Sequence, residues 1–182
     1  MQYYGAKNLA ESFRTVRKNT LQAAEEIAES QYSFKAAGDG RTVEKLLTHI
    51  ALGYGFQHKV HATEKRSNFE GFNFPALMTE FAANEAKPRT KAEVIALLKE
   101  TGEIWANFLD NVTEEFLAES FAMPPGAVPT AKSRFEMLLS VKEHEMHHRG
   151  QLMLIQRMLG IVPHLTREMQ ARMAPPAAAA KS

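Results

Sequence analysis

Helical periodicity runs through most of this 182-residue chain, and no other feature restricts its possible folds as strongly. Four segments, at about residues 8–29, 42–61, 90–108 and 133–160, repeat apolar side chains every three or four positions. No stretch shows the sustained alternation that a strand requires. Four long amphipathic helices in a chain of one-domain length predict an all-α fold, a four-helix bundle.

Capping patterns mark where two of these helices begin. Thr90 with Glu93, and Ser133 with Glu136, have the spacing of a capping box. In that arrangement the hydroxyl and the carboxylate accept hydrogen bonds from opposite amides at the start of a helix. We therefore expect the third and fourth helices to begin at these residues.

Two connections between the helices stand out, and both are expected to cross the bundle. Residues 62–89 are rich in phenylalanine and contain a short helical pattern at 76–83. Residues 122–130, AMPPGAVPT, are too rich in proline for a regular helix. A short C-terminal helical extension is expected after the fourth helix. Residues 1–174 are predicted to form a single domain and residues 175–182 a flexible tail.

The composition excludes several classes of protein. No cysteine is present, which rules out a disulfide scaffold, a thiolate metal site and a cysteine nucleophile. The 22 basic and 21 acidic side chains nearly cancel, so no overall charge favours nucleic acid. Neither an apolar leader nor an apolar run of ~18 residues is seen. We expect a cytoplasmic protein that binds neither nucleic acid nor a membrane.

The stretch HEMHHRGQ, in the fourth predicted helix, contains the residues most typical of a chemical site. His144 and His148 are four positions apart, which places them roughly 40° apart on one helix face. They fall in step with Val141 and Leu152, so both rings are expected to point into the core. Two adjacent buried imidazoles are costly unless each has a partner, and one metal ion accepts a lone pair from both. The alternative is two core histidines bonded to carbonyls or buried carboxylates.

His49 offers a third imidazole from another helix. It lies between Leu46 and Ile50, on the apolar side of the second predicted helix. Three inward imidazoles on two neighbouring helices predict a metal site formed by His49, His144 and His148. Taken alone, His49 is better explained as a core histidine with a hydrogen-bond partner.

The remaining histidines are expected to lie outside the site. His147 is rotated away from the apolar row and is interpreted as non-ligating. His58 and His61 are predicted to be surface residues near a helix end, and His164 to lie in a loop without an evident partner. For Arg149 we favour a pair with an acidic residue of a neighbouring helix over an anionic substrate.

Gly150 and Gln151 complete the motif. A glycine inside a helix costs ~1 kcal/mol relative to alanine, which the close approach of another helix would justify. Gln151 has two interpretations: it hydrogen-bonds a ring nitrogen of a metal-ligating histidine, or it lies on the surface.

The letters H-E-x-x-H, typical of helical zinc proteases, are also present at 144–148. In those enzymes the glutamate, here Glu145, is the general base. The extended form of the motif is absent, because Gln151 and Leu154 occupy its glycine and histidine positions. Such proteases bind substrate along a sheet edge, and no strand is predicted here. We therefore favour the three-histidine site over a protease.

These segments resemble the DinB-like (YfiT-like) family of metal-binding four-helix bundles. The resemblance rests on RTVEKLLTHIALGY, on HEMHHRGQLMLIQRMLG, on their separation, and on YSFKAAGDGR before the second helix. It extends over residues 8–160. It implies a divalent metal ion, zinc or nickel, held by His49, His144 and His148, with water in the open positions. It also implies a homodimer.

The same resemblance implies a metal-dependent enzyme that acts on a small molecule. Some members of the family are transferases or isomerases that use a low-molecular-weight thiol, and many have no established reaction. We therefore expect a thiol-dependent transferase or a hydrolase, because a divalent ion with an open position either lowers the pKa of water to ~7 or deprotonates a thiol. The alternative is a metal-binding stress-response module without catalysis.

Overall fold

The prediction of an all-α bundle is confirmed by the computed structural model, which describes residues 4–174. A two-stranded hairpin is a small addition that the sequence did not predict. The predicted tail at 175–182 lies outside the described residues. In chain order the elements are α1 (Ala6–Glu26), α2 (Val43–Leu52), α3 (Gly55–His58), α4 (Phe74–Ala86), α5 (Lys91–Asp110), α6 (Glu114–Ala118), β1 (Ser120–Ala122), β2 (Ala131–Ser133), α7 (Arg134–Met158) and α8 (His164–Met173).

The four long helices form a bundle in which α1 and α2 each pack against both α5 and α7. Helices α1 and α2 therefore occupy opposite corners, and so do α5 and α7. The chain crosses the bundle between α1 and α2, at residues 27–42, and again between α5 and α7, at residues 111–133. The connection at 62–89 joins the neighbours α2 and α5, so the prediction that it crosses the bundle is wrong.

The second predicted helix is continuous in the sequence pattern but divided in the structure. Helix α2 ends at Leu52, α3 follows, and a π-helical turn at Lys59–Thr63 completes the segment. The division falls at Gly53 and Gly55, the residues with the poorest helix propensity in this stretch. Thr42 begins α2, since its side chain accepts a hydrogen bond from the Lys45 amide at 3.1 Å.

The capping predictions are confirmed at α5 and half-confirmed at α7. Both bonds of the Thr90–Glu93 capping box are present. Ser133 accepts a bond from the Glu136 amide at 3.2 Å, whereas the reciprocal bond is not among the described contacts. Helix α4 is longer than the predicted 76–83.

A layer of buried polar side chains divides the core into two apolar halves. One half lies between α2 and the adjoining ends of α1, α5 and α7, and the other around Phe13 and Trp105. The polar layer contains the functional candidates, because the histidine motif of α7 lies at this level. Its buried members are Arg17, Thr20, Thr48, Thr101, Glu145 and His148.

Phenylalanines from the long connection close one end of the bundle. Phe69, Phe72 and Phe74 form a ring cluster with Phe56, at centroid distances of 4.7 to 5.9 Å. Phe121 of β1 joins them and is fully buried. The hairpin pairs Ser120 with Ser133 in antiparallel register, immediately before α7.

Two histidines expected outside the core are buried. His61 is 1% exposed, where its Nε2 bonds Gln57 Oε1 at 3.1 Å and its Nδ1 faces Arg134 Nη1 at 2.8 Å. His164 begins α8 and is also 1% exposed, with Nε2 at 3.4 Å from Asn19 Oδ1. The surface prediction for His61 and the loop prediction for His164 are therefore wrong. Within residues 4–174, no helix combines the length and apolarity needed to cross a bilayer.

Replacing His61 should remove a pH-dependent part of the folding free energy. Burial, together with the Arg134 charge, lowers the pKa of His61 from 6.5 to about 4. The unfolded chain takes up this proton near pH 6.5 and the folded chain only near pH 4, so stability falls as pH drops through that range, by about 3 kcal/mol. The stability difference between wild type and His61→Gln, from urea unfolding with a chelator, should shrink by that amount between pH 7 and pH 4.

The exposed His147 provides the control for this measurement. The variant His147→Gln should follow the wild-type pH profile. A His61→Gln profile parallel to wild type would contradict the assignment of the pH dependence to His61.

Candidate metal centre

Three imidazoles converge where α2 faces α7. His49, His144 and His148 each offer a ring nitrogen, and these atoms all lie within 4.8 Å of one another. The Nε2 atoms of His49 and His144 are 3.1 Å apart, and the three ring centroids are separated by 4.5 to 4.9 Å. Nitrogens bound to one ion at ~2.1 Å lie roughly 3–3.5 Å apart, so the cluster fits a single metal ion. The structure thus brings the three predicted residues together.

Acceptors on the outer side orient two of the rings. Glu85 Oε2 lies 3.0 Å from His49 Nδ1, and Gln151 Oε1 lies 2.9 Å from His148 Nδ1. An acceptor there holds the hydrogen on Nδ1 and leaves a lone pair on Nε2. Both rings are therefore in the tautomer that a metal ligand requires.

The environment of His144 and His148 favours the neutral form of both rings, as metal binding requires. Burial lowers the pKa of His144 to about 4, and the charges of the neighbouring histidines act in the same direction. Burial also lowers the pKa of His148, against the opposing effect of its bond to Gln151. Hydrogen bonds from Arg41 and His49 hold the pKa of Glu85 below its usual value, although partial burial alone would raise it. Glu85 is therefore an ionised acceptor for His49.

Gly53, at the end of α2, gives the His144 ring its space. A Cβ atom at this position would lie 2.7 Å from both Cε1 and Nδ1 of His144. At Gly150, by contrast, a Cβ would meet nothing within 4 Å. The close helix approach predicted at Gly150 is therefore wrong, and it occurs at Gly53 instead.

Glu145, the glutamate of the H-E-x-x-H letters, takes part in a buried ion pair. Its two carboxylate oxygens accept hydrogen bonds from Nε and Nη2 of Arg17 at 2.9 to 3.0 Å, and both side chains are at most 5% exposed. Nη1 of Arg17 donates to the Leu98 carbonyl and lies 3.1 Å from the Thr101 hydroxyl. A carboxylate enclosed in this way is not placed as a general base, which removes the basis for a protease.

The other residues of the motif divide between the site and the surface. Gln151 does bond a ring nitrogen of a candidate ligand, and it is also exposed. His147 is exposed and lies against Gln151 Nε2 at 3.2 Å. The ion pair predicted for Arg149 does not occur among residues 4–174, where its buried Nη1 has no hydrogen-bond partner. Arg17 forms that kind of pair instead.

A cavity of about 290 Å³ adjoins His148. Leu46, Leu154 and Ile155 form much of its wall, together with the small residues of the loop before α2. Arg41, also in the wall, carries a charge and donates from Nε to Glu85. An apolar space with one guanidinium therefore lies directly beside a candidate metal ligand.

Comparison with known proteins identifies the family. The profile of the DinB superfamily matches residues 12–152, which is most of the chain. The chain belongs to the DinB superfamily. YjoA of Bacillus subtilis (strain 168), an uncharacterized protein, is 24% identical to it over 155 residues, 85% of this chain and 91% of YjoA.

Solved structures of DinB-like proteins share the bundle. The crystal structure of YjoA aligns with a TM-score of 0.60, covering 84% of this chain and 91% of YjoA. YfiT from Bacillus subtilis, described as a probable metal-dependent hydrolase with an unusual four-helix bundle topology, aligns with a TM-score of 0.62 at 18% identity. That alignment covers 86% of this chain and 88% of YfiT. These likenesses establish a common fold.

Sequence reasoning missed three residues around the centre of this DinB-superfamily chain. Glu85 lies outside both histidine-bearing segments, Arg41 is the first residue of the segment that carries His49, and no local spacing pairs either residue with the His49 ring. Arg17 gave a usable signal, since it follows Val16 on the apolar side of α1, where an unpaired cation would be costly. The signal for Glu145 was its position three residues before His148 on the buried face.

Alanine substitutions at Gly53 and Gly150 should distinguish the effect of crowding the His144 ring from the effect of a higher helix propensity. Gly53→Ala should weaken metal affinity, because the added Cβ must displace the His144 ring. Gly150→Ala, the matched control, should leave metal affinity unchanged and stabilise the protein by up to ~1 kcal/mol. Competition with a chelating dye measures the first effect and urea unfolding the second. Equal metal affinity in both variants would contradict the role assigned to Gly53.

Breaking the buried ion pair should cost stability. Glu145→Gln leaves the Arg17 guanidinium buried without its counter-charge, which typically costs about 3–5 kcal/mol. The double variant Arg17→Met, Glu145→Leu should recover much of that loss. Urea unfolding of wild type, Glu145→Gln and the double variant measures the loss of stability and its recovery. A Glu145→Gln protein of wild-type stability that had lost only activity would instead indicate a catalytic glutamate.

Proposed function

We propose that this protein is a metal-dependent hydrolase of a small organic substrate, with His49, His144 and His148 as the ligands of a divalent ion. The observation that carries the proposal is the convergence of three imidazoles, two of them oriented by outer acceptors. The description of YfiT, a protein of the same fold, as a probable metal-dependent hydrolase supports the same class of reaction.

In this proposal the chain's own residues bind the ion and orient the histidine rings that hold it. The three Nε2 atoms hold the ion, while Glu85 and Gln151 keep His49 and His148 in the ligating tautomer. What a divalent ion with an open position supplies is Lewis acidity and a water of lowered pKa. No carboxylate belongs to the cluster itself among residues 4–174. Three neutral ligands therefore leave the ion's full charge available to the reaction.

The cavity beside His148 supports a small substrate. Its volume of about 290 Å³ is near the lower limit of ligand pockets, ~300 Å³, so the substrate is a small molecule. Leu46, Leu154 and Ile155 favour an apolar group, and Arg41 favours a carbonyl or anionic group near the ion. Extended peptides are a poor match for such a space.

A thiol-dependent transferase is the second candidate. The same three ligands serve it, and the chain has no cysteine, so a low-molecular-weight thiol would be the cosubstrate. We propose zinc as the ion, because three histidines with an open position are typical of catalytic zinc, and nickel as the alternative. A homodimer and a cytoplasmic location remain predictions, as does the alternative of a metal-binding module without turnover.

Removal of one ligand should abolish stoichiometric metal binding. His148→Ala loses an imidazole from the three-ligand set, whereas His147→Ala, its neighbour on the same helix, should retain one ion per chain. Glu85→Gln should bind metal roughly 10–100-fold more weakly, because the outer acceptor of His49 becomes neutral. Elemental analysis after dialysis measures the stoichiometry and chelator competition the affinity. Loss of metal from His147→Ala with retention by His148→Ala would contradict the ligand set.

The reaction is tested with protein reloaded with zinc or nickel. Small esters and amides test hydrolysis, and electrophiles offered with several small thiols test transfer. Hydrolysis by wild type and His147→Ala, but not by His148→Ala, is expected. Thiol consumption without hydrolysis would favour the transferase, and neither reaction with a fully loaded site would favour the metal-binding module.

A further inference from the structure

A second cavity, of about 640 Å³, lies near the start of α7. Its walls come from the end of α5, the α6 turn, the π-helical turn with Lys65 after it, and the first residue of α7. Arg134 in its wall precedes His144 by ten residues, which places it about 15 Å away along the helix axis. This cavity is therefore separate from the proposed metal centre.

A buried guanidinium lines this cavity. Arg134 is 4% exposed, donates from Nε to Glu119 Oε2 at 2.8 Å, and donates from Nη1 to His61 Nδ1 at 2.8 Å. Its Cζ lies 4.5 Å from the centroid of the Phe116 ring. Nη2 donates to no acceptor among residues 4–174, and it is partly accessible to solvent. The guanidinium therefore keeps unused donors at a wall of the cavity.

The residues behind Arg134 hold it in place without neutralising it. Because His61 Nδ1 accepts from Arg134, its hydrogen is on Nε2 and is donated to Gln57 Oε1 at 3.1 Å. Gln57 in turn donates to Ser140 Oγ at 3.3 Å, and Ser140 donates to the Met137 carbonyl. His61 remains neutral in this chain of hydrogen bonds. These uncharged residues thus orient the guanidinium, and its carboxylate partner is Glu119.

The cavity has an excess of positive charge. Arg134 and Lys65 are its two cations, and the half-exposed Glu119, already bonded to Arg134, is its one carboxylate among the described residues. Arg134 is also the first residue of the 25-residue helix α7, where the helix dipole disfavours a cation and favours an anion. Lys65 stands at the wall with a φ of 49°, a conformation that non-glycine residues rarely adopt. An anionic ligand would offset these charges.

We propose that this cavity binds a small carboxylate with an apolar or aromatic body. The carboxylate accepts hydrogen bonds from Nη2 of Arg134 and pairs with Lys65, since a guanidinium edge matches carboxylate geometry. The body packs against Phe108 and Phe116, which form the apolar part of the wall. The site is distinct from the substrate cavity beside His148 and stands independently of the hydrolase proposal.

Titration of the full-length chain with phenylacetate and phenylacetamide tests the ligand class. The two compounds share a body and differ in charge. Calorimetry should therefore show saturable binding of the acid, and an affinity for the amide that is weaker by roughly tenfold or more. In proton–nitrogen NMR spectra, the shifted resonances should include those of Arg134, Lys65 and Phe116. The same titration with His148→Ala should give an unchanged affinity, which separates this site from binding at the metal.

Two variants test the residues. Lys65→Met should weaken phenylacetate binding several-fold, whereas Lys18→Met, an exposed lysine of α1, should not change it. Arg134→Lys keeps the charge, loses the planar fork, and should weaken binding by roughly tenfold. If Arg134→Lys proves poorly folded in a thermal melt, Lys65→Met and the resonance shifts decide the question.

Three results would overturn the proposal. The first is the absence of saturable phenylacetate binding to folded wild-type protein. The second is equal affinity for the acid and the amide, or an equal response of Lys65→Met and Lys18→Met. The third is inorganic phosphate binding as tightly as phenylacetate, because the Phe108 and Phe116 wall would then contribute nothing.

Discussion

The ion pair between Arg17 and Glu145 is the interaction on which the arrangement of the bundle depends. It joins α1 to α7, and the bond from Arg17 to the Leu98 carbonyl adds α5. Burying two charges is expensive unless their hydrogen-bonding groups are satisfied, and here two guanidinium nitrogens meet the carboxylate while the third meets Leu98 and Thr101. The pair holds α7 in one rotation. Glu145 faces α1, whereas His144 and His148 face α2.

The candidate metal centre is the other half of the same polar layer. His148 belongs to the buried row of α7, while His144 and His49 are half-buried at the edge where α2 and α4 meet. Apolar clusters above and below the layer provide most of the buried hydrophobic surface. Apolar side chains of similar volume commonly give equal or greater stability than a buried polar layer. A polar layer between two well-packed apolar halves is therefore consistent with a chemical role for its side chains.

The segments between the long helices contribute two charged side chains to the surroundings of the candidate metal centre. Arg41 comes from the diagonal crossing between α1 and α2, and Glu85 comes from α4 in the long connection. Both lie beside His49, where one orients the ring and the other lines the cavity. Residues on connecting segments can vary without disturbing the packing of the long helices, so Arg41 and Glu85 are positions where this site could be altered with the bundle intact.

Local spacing in the sequence was enough to predict the helices and the inward pair on α7. The period of 3.6 residues defines a helix face, and the Thr90–Glu93 cap lies within one turn, so both are properties of a few consecutive residues. His144 and His148 were predicted on the same principle. The place of His49 beside them required the assumption that two helices are neighbours, and the structure brings the three rings together.

Only the tertiary structure decided which distant side chains meet. Glu85 reaches His49, Arg17 reaches Glu145, and His61 is buried against Arg134, across separations of 36, 128 and 73 residues. For His61 the sequence predicted a surface position near a helix end, and it predicted no pairing for Glu85 or Arg17. The bundle supplies a partner for each of these side chains, without which a polar group is costly to bury. Helix faces are encoded locally, whereas the partner of a buried charge depends on which corners of the bundle the chain crosses.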